Sequence, residues 1–122
     1  MNDIYMKGKI IFITGATSGI GKETVIGLAK LGANIVFTAR DPKKGENVRD
    51  EFINKTNNEN INMIFCDLAS FESIRTCYNK FLKQYNTLDV LINNAGVLNF
   101  KRTLTKDCIK QILELIIWLL FF

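Results

Sequence analysis

The stretch TGATSGIG, Thr14 to Gly21, limits the fold of this chain more than any other segment. Its three glycines stand between an apolar, β-branched run, KIIFIT (9–14), and a helical pattern that begins GIGKETVIGLAKLG. Apolar β-branched runs bounded by glycine read as buried strands. A strand that passes directly into a helix through glycines must turn sharply, and only residues without a Cβ make that turn cheaply. In the helix, Ile20, Val25, Leu28 and Leu31 are predicted to share one face, with Gly32 as the stop.

The same alternation continues along the chain. NIVFTA (34–39), INMIFC (61–66) and LDVLIN (88–93) read as three further strands. Asp41-Pro42 is a strong helix start, with Asp as N-cap and Pro in the first turn, and Val48 and Phe52 then share a face. A third helix starts at Ser70, with Phe71, Ile74, Tyr78, Phe81, Leu82 and Tyr85 at helical spacing. NKTNNEN (54–60) reads as a mobile surface loop, and a fourth helix is expected from Thr105. The order βαβαβαβα, with near-continuous apolar strands, predicts an α/β fold: a doubly wound, Rossmann-type parallel sheet, truncated, with strand order 3-2-1-4.

In that setting the glycines acquire a chemistry. Gly15 lets the chain leave the strand, Gly19 lets a pyrophosphate approach the backbone, and Gly21 lets helix and strand pack closely. The free N–H groups and the dipole at the helix start attract phosphate. Other chemistries are removed by composition. The 122 residues contain no histidine, so Ser-His-Asp and Cys-His catalysis and the commonest metal ligand are missing together. Cys66, Cys77 and Cys108 form no CxxC pair and read as buried thiols in a reducing compartment. The net charge of +4 is spread along the chain, which gives no support for nucleic-acid binding. MNDIYMKGK (1–9) carries no long apolar run, so the cytoplasm is the expected location.

The spacing G-x-x-x-G-x-G, preceded by Thr14, resembles the fingerprint of the short-chain dehydrogenase/reductase family. Asp67-Leu68 after the third strand and NNAG (93–96) after the fourth agree with that family's further motifs. GATSGIGKET and KRTLTKD (101–107) are most similar to its retinol-dehydrogenase-like and general dehydrogenase/reductase branches. The resemblance implies an oxidoreductase that moves a hydride between a nicotinamide dinucleotide and a carbonyl or alcohol. It places Gly15, Ser18, Gly19, Ile20 and Gly21 in the phosphate loop, and Asp67 and Leu68 at the adenine. Asn94, Ala95 and Gly96 would flank the adenosine ribose and the path to the nicotinamide. Where an acid at the end of strand two would favour NAD(H), this chain has Ala39 followed by Arg40, a pattern similar to NADP(H)-using members. Lys44, one turn into the next helix, is expected to assist Arg40.

The family's proton-transfer group is a tyrosine with a lysine four residues on, and it lies well after NNAG. Here the tyrosines are Tyr5, Tyr78 and Tyr85. Tyr5 and Lys9 match the spacing but precede the first strand, at its end remote from the glycine loop. No catalytic residue is therefore assigned, and the 122 residues alone are expected to be inactive. The alternatives are a non-catalytic nucleotide-binding module or a degenerate, truncated gene product. Residues 1–108 read as the NADP(H)-binding half; the apolar stretch 109–122, ending LELIIWLLFF, reads as a truncated core helix or aberrant sequence. Its length falls short of the roughly 20 residues needed to span a bilayer. An apolar fourth strand left as a sheet edge, together with this tail, is expected to favour association and poor solubility.

Overall fold

The computed structural model describes residues 6–17, 19–67, 69–93 and 96–104. The four expected strands form as β1 (Ile10–Ile13), β2 (Asn34–Ala39), β3 (Ile61–Phe65) and β4 (Leu88–Asn93). Between them lie α1 (Gly19–Lys30), α2 (Pro42–Thr56) and α3 (Phe71–Gln84). β1 pairs in parallel with both β2 and β4, and β2 pairs in parallel with β3. The order β3-β2-β1-β4 is the Rossmann-type arrangement that the alternation predicts.

Side chains alternate across the sheet and build a core on each face. Ile11, Ile13, Ile35, Phe37 and Ile61 pack with Val25, Ile26 and Ala29 of α1 and Val48 and Phe52 of α2. Phe12, Val36, Ile64 and Leu91 pack on the other side with Ile74, Cys77, Tyr78 and Phe81 of α3. An edge-to-face aromatic pair pins each layer: Phe37 with Phe52, centroids 5.3 Å apart, and Phe12 with Phe81 at 5.2 Å.

Local signals position the helices. Asp41 caps α2 by accepting from the N–H groups of Lys43 and Lys44 at 3.0 and 3.3 Å. Ser70 caps α3, its hydroxyl accepting from the Ser73 N–H at 3.2 Å. On α1, Val25 of the expected face is buried with Ile26 and Ala29, and Leu28 packs against them, but Ile20 is 87% exposed. Ile20 sits in the first turn, beyond the strand ends, where no sheet lies beneath it to bury it.

Two further expectations change. The segment expected as a mobile loop is tied down. α2 runs to Thr56, Asn57 caps it at φ 57°, and the Asn58 amide donates to the Ala29 and Ala33 carbonyls at 3.0 and 2.8 Å. The Asn-rich run is thus a connector that completes the end of α1. The edge expected at β4 is also filled. β5 (Gly96–Leu104) pairs antiparallel with β4, Asn93 standing opposite Gly96. An apolar strand leaves a row of unpaired backbone groups, and the next segment of chain satisfies them. The helix expected from Thr105 and the apolar tail 109–122 lie outside the described residues.

Candidate cofactor site

Parallel strands all end on one side, and the loops that follow them converge there. Thr14 donates its N–H to the Ile92 carbonyl at 2.9 Å, so the glycine loop leaves β1 already tied to β4. Gly15 and Gly19 stand at φ 71° and 62°, a region costly for a residue with a side chain. Ala16, fully buried, anchors the loop between them. Gly21 is held by space. A Cβ there would lie 2.5 Å from the Gly15 carbonyl oxygen and 3.1 Å from the Ala16 Cα. α1 therefore begins in contact with the turn before it. The first N–H groups of a helix lack intrahelical acceptors, and no acidic residue occupies the first turn of α1 to compete for them.

Two cavities flank this loop. One, of about 290 Å³, lies over the ends of β2 and β3 and is lined by Gly15, Thr17, Thr38, Ala39, Arg40, Cys66, Asp67 and Ala69. The other, of about 510 Å³, lies over the ends of β1 and β4, where Thr14, Gly15, Thr17, Ile20, Gly21, Thr24, Ile92 and Asn93 contribute. Gly15 and Thr17 belong to both. The two cavities thus lie on either side of the glycine loop, with a helix N-terminus beside it.

Arg40 is exposed at the rim of the smaller cavity, one residue beyond β2. Asp67 holds the loop between β3 and α3 open in a defined shape. Its Oδ1 accepts from the Ala69 N–H at 3.0 Å, and its own N–H donates to Ser73 Oγ at 2.7 Å. Ser70 takes the capping role, which leaves the Asp67 carboxylate at the cavity. The Cys66 thiol is held below its ordinary range, chiefly because the Cys77 thiol donates a hydrogen bond to it.

Of the residues singled out in the sequence, Gly15, Arg40 and Asp67 meet in one cavity and Gly15, Ile20 and Gly21 in the other. Gly19 opens α1, and Gly96 opens β5 opposite Asn93. Lys44 is exposed in the first turn of α2 and stands outside both linings. Ser18, Leu68, Asn94 and Ala95 lie outside the described residues, as does Tyr5. Thr17, Thr38, Cys66, Ala69, Thr24 and Ile92 line the two cavities without having been singled out. The rule that ligands sit beyond the carboxyl ends of parallel strands points to Thr38, Cys66 and Ile92.

Comparison with known proteins agrees with this geometry. The family described as short chain dehydrogenase matches residues 9–117. Human retinol dehydrogenase 13 is 40% identical over 100 residues, covering 82% of this chain and 30% of that protein. Bovine dehydrogenase/reductase SDR family member 12 is 37% identical over 109 residues, covering 89% of this chain and 34% of that protein. The chain thus spans about a third of the length of these relatives. A short chain dehydrogenase from Escherichia coli CFT073, solved in complex with NADPH, superposes with a TM-score of 0.70 at 26% identity, covering 79% of this chain and 40% of that one. With the glycine loop, the strand order and the family match in agreement, this chain belongs to the short chain dehydrogenase family.

Proposed function

We propose that this chain binds NADP(H) across the two cavities, as one bipartite groove, and represents the cofactor-holding part of an oxidoreductase acting on a carbonyl or alcohol. The observation that carries the reading is the wall common to both: Gly15 and Thr17 shared by two cavities beside the start of α1. A dinucleotide has the same layout, two nucleoside halves joined by a pyrophosphate. The glycines fit that group, since side chains at Gly15 and Gly19 would be strained and one at Gly21 would strike the loop.

Each residue then has a task. The N–H groups at the start of α1 hold the pyrophosphate. Arg40 faces the adenosine 2′-phosphate with a fork of donors, where an acid would repel it. Asp67, its loop fixed by Ser73 and Ala69, bounds the adenine side, the role that the family resemblance also gives Leu68. Asn94, Ala95 and Gly96 flank the adenosine ribose. Ile20, Thr14 and Ile92 border the half that receives the nicotinamide. When bound, the nicotinamide supplies or accepts a hydride. A phenol that exchanges the accompanying proton needs a nearby cation to act near neutral pH. The 122 residues carry no Tyr-x-x-x-Lys after Asn93, which favours binding without turnover for these residues alone.

Thermal-shift and fluorescence titrations with NADPH and NADH test this. Hydrogen bonds to charged groups contribute about 1.5–3 kcal/mol, so Arg40→Ala is expected to weaken NADPH roughly ten- to a hundredfold. NADH affinity should barely change. Equal loss for both cofactors, or for neither, would remove Arg40 from the 2′-phosphate.

A further inference from the structure

One pair of nucleophilic groups at the groove has no part in the binding described above. Cys66 follows β3 and is fixed there by its N–H, which donates to the Ala39 carbonyl at 3.0 Å. Its residue lines the smaller cavity beside Arg40 and Asp67. Cys77, on α3, is buried in the same core layer and stands outside the lining. Both are free thiols, and they hydrogen-bond each other. They stand eleven positions apart in sequence, yet the fold buries both thiols in one core layer, Cys66 at 4% exposure and Cys77 at 3%, with Cys66 alone bordering the cavity.

We propose that Cys66 and Cys77 are an oxidisable dithiol in the floor of the adenosine cavity, closed to a disulfide by peroxide and shielded from it by bound dinucleotide. The shielding rests on the binding reading above; the pairing does not. In the first step the Cys66 sulfur attacks one oxygen of hydrogen peroxide. An S–O bond forms, the O–O bond breaks, and the departing hydroxide combines with the thiol proton as water. Cys66 is then a sulfenic acid. In the second step the Cys77 sulfur attacks the Cys66 sulfur. The S–S bond forms, the S–O bond breaks, and the hydroxyl leaves with the Cys77 proton as a second water. Two thiols lose two electrons and one peroxide becomes two waters.

The asymmetry of the pair suits these roles. Cys66, lowered by the hydrogen bond from Cys77 and by a second one with Ser73, carries the more thiolate character, and its residue borders the cavity where Cys77 does not. Cys77 is pushed well above its ordinary range by its bond to Cys66 and by burial, so it reacts second, as the resolving thiol. The bond would join the end of β3 to α3 across the loop that carries Asp67, so the redox state of the pair and the shape of the adenosine cavity are coupled.

The test uses the full 122-residue chain with Cys108→Ser, which leaves only this pair. Folded protein is treated with hydrogen peroxide, quenched with maleimide and mapped by peptide mass spectrometry, with and without NADP+. NADP+ serves here because peroxide does not oxidise it. A single intramolecular link between Cys66 and Cys77 is expected. With NADP+ at about ten times its Kd, formation should slow about tenfold, because only the free fraction reacts. Adding Cys77→Ser should stop the chemistry at a sulfenic acid on Cys66, trapped by dimedone. Absence of the link in folded protein overturns the pairing, as does a link that forms only after unfolding in urea. An unchanged rate under NADP+ that does raise the melting temperature overturns the shielding. If NADP+ leaves the melting temperature unchanged, the failure belongs to the binding reading, and the mapped link alone decides the dithiol.

Discussion

Replacing Gly21 with alanine sets two opposed effects against each other. A helical alanine normally gains up to about 1 kcal/mol over glycine. At Gly21 the added Cβ would stand 2.5 Å from the Gly15 carbonyl oxygen, 3.1 Å from the Ala16 Cα and 3.2 Å from the Gly15 carbonyl carbon. All three are backbone atoms, so no rotamer change can relieve the contact. The loop must move, or α1 must tilt away from β1. Overpacking costs about 1–3 kcal/mol, and a 2.5 Å approach to backbone puts this case in the upper half of that range, about 2–3 kcal/mol, which leaves a net loss of about 1–2 kcal/mol after the propensity gain. For a domain this small that lowers the melting temperature by roughly 4–15 °C. Gly27 supplies the control. It lies in the same helix, is exposed, and a Cβ there would meet nothing within 4 Å. Gly27→Ala should therefore stabilise by about 0.5–1 kcal/mol. Thermal melts followed by far-ultraviolet circular dichroism would measure both. The reasoning fails if Gly21→Ala melts at or above the parent, or if the two variants shift in the same direction. Gly21→Ala should also weaken NADPH, since displacing the loop displaces the phosphate donors.

Asn58 offers a test of the connector between α2 and β3. Asn58→Ala removes both amide donations, to Ala29 and Ala33, and should cost about 1–2 kcal/mol in urea unfolding; Asn58→Asp, which sets a carboxylate against two carbonyls, should cost more. Unchanged urea midpoints would mean that the loop contributes nothing to α1. Glu51 gives a pH dependence. Lys22 at 2.8 Å and Lys55 at 2.9 Å hold its carboxyl below the ordinary carboxylate range. A folded-state pKa below the unfolded one contributes stability above the ordinary value, and this is lost as pH falls through the lowered one. Glu51→Gln should therefore reduce the stability difference between neutral and acid pH, and the reduction should fade at about 1 M salt, where charges are screened within about 3 Å. A stability difference that Glu51→Gln leaves intact, compared by urea melts across pH, would remove the pair from the pH dependence.

What the sequence discloses depends on whether a residue's role is set by its neighbours in the chain or by distant ones. The strands β2 and β4 and the caps Asp41 and Ser70 follow from local pattern and chemistry, and the structure places them where the pattern does. Gly15, Gly19 and Gly21 are legible for the same reason: the backbone path between one strand and the next helix dictates them. Ile20 misled because periodicity cannot tell whether sheet lies under the first turn of a helix. Asn58 was hidden because its partners, Ala29 and Ala33, are on another element far back in the chain. β5 was missed because the need for it arises from β4: an exposed row of backbone groups recruits whatever chain follows. The meeting of Cys66 and Cys77 belongs to this second kind, since only the packing of α3 on β3 joins them.

The groove itself shows how the two kinds of information combine. Parallel strand order puts the ends of β1, β2, β3 and β4 in one row, with β1 in the middle. The loop leaving β1 therefore divides the row into two halves whatever its sequence. What the glycines add is thinness: Gly15, with no side chain, is a wall common to both cavities, and Gly21 keeps the start of α1 close against it. A bulkier loop on the same sheet would set the two cavities further apart and leave no room for a pyrophosphate across it. Charge then gives the groove a direction. Arg40 stands at one end only, beyond β2, while the half beyond β4 is bordered by Ile20, Ile92 and Asn93. A ligand with an extra phosphate on one of its two nucleosides can satisfy that asymmetry in one orientation. That is the physical reason to expect the Arg40 substitution to change which dinucleotide is preferred, and the Gly21 substitution to weaken both.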